Sequence, residues 1–132
     1  MEIIYKYNEP VKAEDVVQVF KKSGITRPIE QKERIQKMLD HANIILTAWD
    51  NNKLVGIARA LTDFSYCCYL SDLAVDKDYQ KNGIGKELIK RIRKVIGEEV
   101  ALILLSAPNA MDYYPKVGFE KVDNGFIIRR KR

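Results

Sequence analysis

The stretch Gln80-Lys81-Asn82-Gly83-Ile84-Gly85-Lys86 sets two glycines two residues apart, just ahead of a long amphipathic run, in a chain that has only seven glycines. Glycine admits unusual backbone angles and close approach of a ligand, and the free amides of a first helical turn sit at the positive end of the helix dipole. Together they suggest a seat for phosphate or pyrophosphate. Two familiar forms of that seat fail on spacing. A P-loop needs a glycine five residues before its Gly-Lys pair and a Ser or Thr after the lysine, where this chain has Gln80 and Glu87. The dinucleotide fingerprint needs a third glycine where this chain has Leu88. A plain glycine turn into a helix remains the alternative, and the glycines alone leave both readings open.

Other reactive side chains are few. Cys67 and Cys68 are adjacent, so on an extended strand they point to opposite faces, and a disulfide between them would be strained. They argue for a reducing compartment. With one histidine, His41, and no Cys-x-x-Cys, the usual nitrogen and sulfur ligands of zinc are lacking. His41 reads as a polar residue near the end of a helix. The net charge of +5 suits a polyanionic partner, either nucleic acid or a small phosphorylated molecule, and does not choose between them.

The elements that must position these residues follow from periodicity. At 132 residues the chain is sized for one domain, residues 1–132, and no apolar run approaches the length needed to cross a bilayer. The N-terminus mixes acidic and basic residues with no small-residue cleavage site, so residues 2–7 read as a strand, not a signal peptide, and a cytoplasmic protein is expected. Ala13, Val16, Val17 and Phe20 mark one face of a helix that stops at Ser23-Gly24. Ile35, Met38, Leu39 and Ala42 repeat the spacing in a second helix, which Pro28 is expected to help start. Residues 44–49 and 54–61 read as a hairpin about a turn at Asp50 to Lys53, and residues 66–75 as a third antiparallel strand. Residues 84–97 show a helical apolar face, and Val100 to Leu105 read as a strand covered on both sides, so strand, helix and strand suggest a crossover with a parallel pair. Residues 109–116 suggest a short helix, and Asn124-Gly125 a hairpin turn between residues 119–122 and 126–129.

Within this frame two stretches carry a resemblance. The run Leu73-Ala74-Val75-Asp76-Lys77-Asp78-Tyr79-Gln80-Lys81-Asn82-Gly83-Ile84-Gly85-Lys86 resembles the cofactor motif of the GNAT-superfamily N-acetyltransferases, and Ala110-Met111-Asp112-Tyr113-Tyr114-Pro115-Lys116-Val117-Gly118-Phe119 resembles a second family signature. The resemblance implies a mixed α+β fold: a central, mostly antiparallel sheet of about six to seven strands, flanked by about four helices. It also implies acetyl-CoA as cosubstrate and an amine as acceptor. The cofactor would be held by Leu73, Ala74, Val75, the run Gln80, Lys81, Asn82, Gly83, Ile84, Gly85 and Lys86, and by Asn109 and Tyr114. The Leu73 amide would face the thioester oxygen, Val75 would pair with the pantetheine arm, and Tyr114 would be the general acid.

The chain departs from the family pattern in two places. Histone-type members carry a glutamate base where this chain has Tyr69, and many members have an asparagine where it has Ala107. Asp72 lies near in sequence but should point away from the Leu73 face on a regular strand, and reads as a structural carboxylate. The loop Gly24-Ile25-Thr26-Arg27-Pro28 would help line the acceptor groove, with Arg27 either meeting an acidic group on the acceptor or simply solvated. The alternative to an enzyme is a catalytically weak acyl-CoA sensor or partner-binding module. Nucleic-acid binding through Arg129-Arg130-Lys131-Arg132 ranks last, since no aromatic residues interleave the cluster. A second copy of the chain, as a homodimer, is among the partners admitted.

Overall fold

The computed structural model describes residues 2–132. Five strands, β1 (Ile4–Tyr7), β2 (Ile44–Asp50), β3 (Lys53–Thr62), β4 (Cys67–Val75) and β5 (Ala101–Ile103), form one sheet in sequence order. The first three pairings are antiparallel and the last, β4 with β5, is parallel. Four α-helices accompany them: α1 (Ala13–Ser23), α2 (Lys32–Asp40), α3 (Ile84–Ile96) and α4 (Tyr113–Lys116). The mixed, mostly antiparallel fold expected from the sequence is present, with five strands in place of six to seven.

The helices cover the two faces of the sheet. Val16, Val19 and Phe20 of α1, with Ile35 and Leu39 of α2, pack on Leu54, Ile57 and Ala74. On the opposite face Ile84, Leu88, Ile89, Ile92 and Ile96 of α3 pack on Ile44, Leu46, Val55 and Ala58. Burial of each such aliphatic side chain is worth about 2 kcal/mol. The central strand β3 is consequently buried along Leu54 to Ala60. Gly56 sets how near α3 comes: a Cβ there would stand 3.1 Å from Ile84 Cγ2 and 3.3 Å from Ala48 Cβ. The first turn of α3 therefore rests directly on the sheet backbone, which fixes the glycine turn before it.

The structure departs from the sequence reading in three places. Pro28 lies in a turn before α2, where the Gln31 N–H donates to its carbonyl at 3.0 Å, and Gln31 is the residue at the helix entrance. The apolar run at 100–105 yields only three strand residues and is covered on one face: Leu102 and Leu104 pack on the α3 core, while Ile103 and Leu105 are 50% and 62% exposed. The C-terminal hairpin does not form. Residues 121–132 are exposed throughout and belong to no strand, so the edge of β5 that such a hairpin would extend is left open within the chain.

Candidate functional site

The site begins with a gap in the sheet. β4 pairs with β5 only through Cys67, Cys68 and Tyr69, although β4 continues to Val75. Over the last six residues of β4 the side facing β5 has no strand against it. A bulge decides what is presented there. On β3, Arg59 lies opposite Asp72 and Ala60 opposite Leu70, so Ser71 is an extra residue that shifts the alternation by one. Beyond it the Asp76 N–H donates to Val55 of β3 at 2.8 Å, which by alternation turns the backbone groups of Asp72 and Ala74 toward β3 and those of Leu73 and Val75 into the gap. Ala74 accordingly faces away from the gap, with its side chain in the α1–α2 core. The Val75 carbonyl accepts from Gln80 Nε2 at 2.9 Å, leaving the Leu73 and Val75 amides toward the opening.

At the end of the gap stands the glycine turn. Gly83 precedes α3 with φ at +78°, left-handed backbone that a side chain would strain. The Asn82 amide donates to the Tyr79 carbonyl at 3.1 Å and shapes the turn. The first N–H of α3 to close on the chain is that of Glu87, onto Gly83 at 3.0 Å, so the amides of Ile84, Gly85 and Lys86 point out at the positive end of the helix dipole. The Ile84 side chain itself is buried in the core, so only its backbone can serve a ligand. Lys81, Asn82 and Lys86 are exposed beside these amides. A Cβ on Gly85 would lie 2.7 Å from the Tyr113 hydroxyl and 3.9 Å from Val75 Cγ2, so the absence of a side chain is what lets the Tyr113 hydroxyl lie against the helix backbone here. These features fit the pyrophosphate and pantetheine arm of acetyl-CoA: free amides, two flanking lysines and an extended backbone edge leading away.

α4 brings the tyrosines to the same place. The Tyr114 ring packs on the α3 core and makes edge contacts with Tyr113 and Phe119, at centroid distances of 5.2 and 5.4 Å. Burial, and then the neighbouring Tyr113 phenol, hold the Tyr114 hydroxyl above its ordinary pKa, with the Arg27 guanidinium pulling it back. The phenol is therefore protonated at neutral pH. Tyr113 has its own phenol raised by burial. Its hydroxyl over Gly85 is a feature that sequence reasoning missed, since a pair of aromatic residues on a four-residue helix gives no sign of which one overhangs the turn. Asn109 is exposed in the short 3-10 turn Pro108–Ala110 between β5 and α4.

On the opposite face of β4 lies a buried charge cluster. Asp72 is fully buried and accepts from Arg27 Nε at 2.5 Å through one oxygen and from Arg59 Nε through the other. Arg27 also donates to the Ser71 carbonyl at 2.6 Å, and Arg59 to Ser71 Oγ at 2.9 Å. Arg27 is thus a strut that ties the α1–α2 loop to the bulge, and not the solvated arginine that the sequence allowed. Asp72 is committed to two cations, and Leu73 packs on the other face, as the strand alternation predicts. Tyr69, in the position of the family glutamate, is 40% exposed.

A profile of the acetyltransferase (GNAT) domain family matches residues 9–128, nearly the whole chain. The chain belongs to the GNAT family. Among curated relatives, an uncharacterized N-acetyltransferase of Porphyra purpurea is 30% identical over 109 residues, which are 76% of this chain and 60% of that protein. The chain thus spans less than two thirds of that relative. Among solved GNAT structures, a Staphylococcus aureus protein of unknown function described as a probable acetyltransferase is 26% identical, with a TM-score of 0.83 over 98% of this chain and all of that one. An aminoglycoside N-acetyltransferase, AAC(6')-Iy, solved in complex with CoA, shares the fold at 15% identity and a TM-score of 0.73, covering 99% and 96% of the two chains.

Proposed function

We propose that residues 1–132 form one acetyltransferase domain that moves an acetyl group from acetyl-CoA directly to a primary amine on a small molecule, peptide or protein. The observation that carries this reading is the opened edge of β4, running from the bulge at Ser71 to the free amides of the glycine turn, with the Tyr113 hydroxyl against Gly85 and the Tyr114 ring packed on Tyr113. Bound acetyl-CoA supplies the activated acyl group as a thioester. The amides of Ile84, Gly85 and Lys86, with Lys81 and Lys86 nearby, take the pyrophosphate, and Val75 pairs with the arm. The Leu73 N–H, aimed into the gap, opposes negative charge developing on the acyl oxygen, an effect worth about 3 kcal/mol per donor. Tyr114 holds its proton at Oη for the departing sulfur. The amine forms its new bond to the acyl carbon as the carbon–sulfur bond breaks, and the amine's proton goes to solvent, because Asp72, the carboxylate on this part of β4, is buried between two arginines.

No helix among the described residues is long and apolar enough to cross a membrane. The free cysteines support a reducing, cytoplasmic setting: Cys67 is exposed and Cys68 buried, on opposite faces of β4. The weak-sensor alternative draws on Tyr69 standing where a glutamate base would be. A panel of amines offered with acetyl-CoA, followed by release of free thiol, tests the proposal. Amine-dependent thiol release is expected; tight acetyl-CoA binding with no turnover on any amine would favour the sensor.

A further inference from the structure

Tyr113 reaches the glycine turn with its oxygen foremost. A Cβ on Gly85 would lie 2.7 Å from the hydroxyl and 3.7 Å from Cζ, the ring carbon that bears it, so the phenol meets the first turn of α3 end-on. The ring makes its edge contact with Tyr114 at 5.2 Å, a contact that phenylalanine would make equally well. The hydroxyl is therefore the part of the side chain that packing does not explain.

That hydroxyl finds no partner in the protein. Tyr79, which leads into the turn, donates its phenol proton to Asp50 at 2.6 Å, whereas Tyr113 makes no side-chain hydrogen bond among the described residues, and burial alone raises its phenol. A partly buried O–H without an acceptor is a net cost to the fold, because it has given up water and gained nothing in exchange. The first turn of α3 offers it none. The amides of Ile84, Gly85 and Lys86 are donors, Lys81 and Lys86 are cations, the Gly83 carbonyl already accepts from the Glu87 N–H, and the Glu87 carboxylate accepts from Arg91 at 2.8 Å. Donors of three kinds thus converge here, and the acceptor that would serve them comes from outside the chain.

We propose that Tyr113 is a binding residue for the cosubstrate, its O–H donating to a pyrophosphate oxygen of acetyl-CoA at the first turn of α3. The inference rests on the acetyl-CoA reading of the gap and adds to it a donor from α4, on the side of the seat that the backbone amides do not reach. Pyrophosphate oxygens at neutral pH accept and do not donate, so one anion satisfies amides, ammonium groups and phenol together, through charge-assisted bonds. Gly85 and Tyr113 are then a matched pair, since any side chain at 85 would displace the hydroxyl. The adjacent tyrosines serve opposite ends of one ligand, Tyr113 the phosphate end beside Gly85 and Val75, Tyr114 the thioester end.

Two measurements on the intact chain decide it, and neither needs the amine. Calorimetry with acetyl-CoA should show Kd raised about tenfold in Tyr113→Phe, the low end for a hydrogen bond to a charged group. Without ligand the variant should melt no lower than the parent, because the hydroxyl it lacks had no partner. With acetyl-CoA saturating, phosphorus NMR should show the pyrophosphate resonances displaced between parent and variant while the 3′-phosphate resonance stays, a signature that loss of packing would not give. Equal affinity in parent and variant overturns the inference. So does tighter binding by the variant, which would make the hydroxyl an obstacle in the seat, or a displacement confined to the 3′-phosphate. A parent chain that binds no acetyl-CoA overturns the reading of the gap and this inference with it, and that result is seen before any substitution is made.

Discussion

Asp72→Asn separates a structural carboxylate from a catalytic one. The side chain is fully buried, and each of its oxygens accepts from a guanidinium, Arg27 on one and Arg59 on the other. Asparagine keeps the shape but removes the negative charge and turns one acceptor into a donor that faces an arginine. Arg27 has a side chain that is 26% exposed and can recover some hydration; Arg59, at 9%, cannot. Breaking a buried ion pair by removing one partner costs about 3 to 5 kcal/mol, because a charge is left unpaired away from water. With an unfolding entropy of roughly 2.1 cal/mol/K per residue, that loss lowers the melting temperature of a chain this size by about 11 to 18 °C. Thermal unfolding followed by circular dichroism reads the shift. Adding Arg59→Met removes the stranded cation and should recover part of the loss, which a simple loss of packing would not predict. The reasoning is refuted if Asp72→Asn melts within a few degrees of the parent while acetyl transfer loses a rate-controlling group that titrates in the acid range. Asp72 would then be the base.

Two further substitutions address the cosubstrate and the proton. Tyr114→Phe keeps the ring and its contacts with Tyr113 and Phe119 but removes the only proton the side chain can give, so kcat should fall at least about tenfold with acetyl-CoA affinity little changed. Because burial raises the Tyr114 phenol, the parent should hold its proton through neutral pH and lose rate only above the ordinary tyrosine value of about 10; an alkaline limb that persists in Tyr114→Phe assigns the proton elsewhere. Gly85→Val puts a branched side chain whose Cβ would stand 2.7 Å from the Tyr113 hydroxyl, so Tyr113 must move and the added methyls crowd the first-turn amides proposed to take the pyrophosphate. Calorimetry should show acetyl-CoA binding weakened at least about tenfold in a folded protein, and unchanged affinity moves the seat away from residues 80–86.

Much of the fold is written in short-range pattern. The apolar spacing of Leu88, Ile89, Ile92 and Ile96, the turn at Asn51-Asn52 and the glycine that ends α1 each act within a few residues, so α1, α3 and the β2–β3 hairpin follow from the sequence alone. The glycine turn was legible for the same reason, since left-handed backbone at Gly83 favours that residue type wherever the chain goes, whereas the need for glycine at Gly85 comes from the Tyr113 hydroxyl packed against it. What the sequence did not contain was relative placement. The extra residue at Ser71 exists only against β3, and it alone turns Leu73 and Val75 into the gap. Arg27 and Asp72 are 45 residues apart, and only the packing of the α1–α2 loop on β4 makes a solvated arginine into a strut. The hairpin about Asn124-Gly125 shows the limit from the other side: its local signals are those of strands, but a strand exists only where its N–H and C=O groups pair with a neighbour, and the tertiary structure leaves residues 121–132 unpaired with the β5 edge.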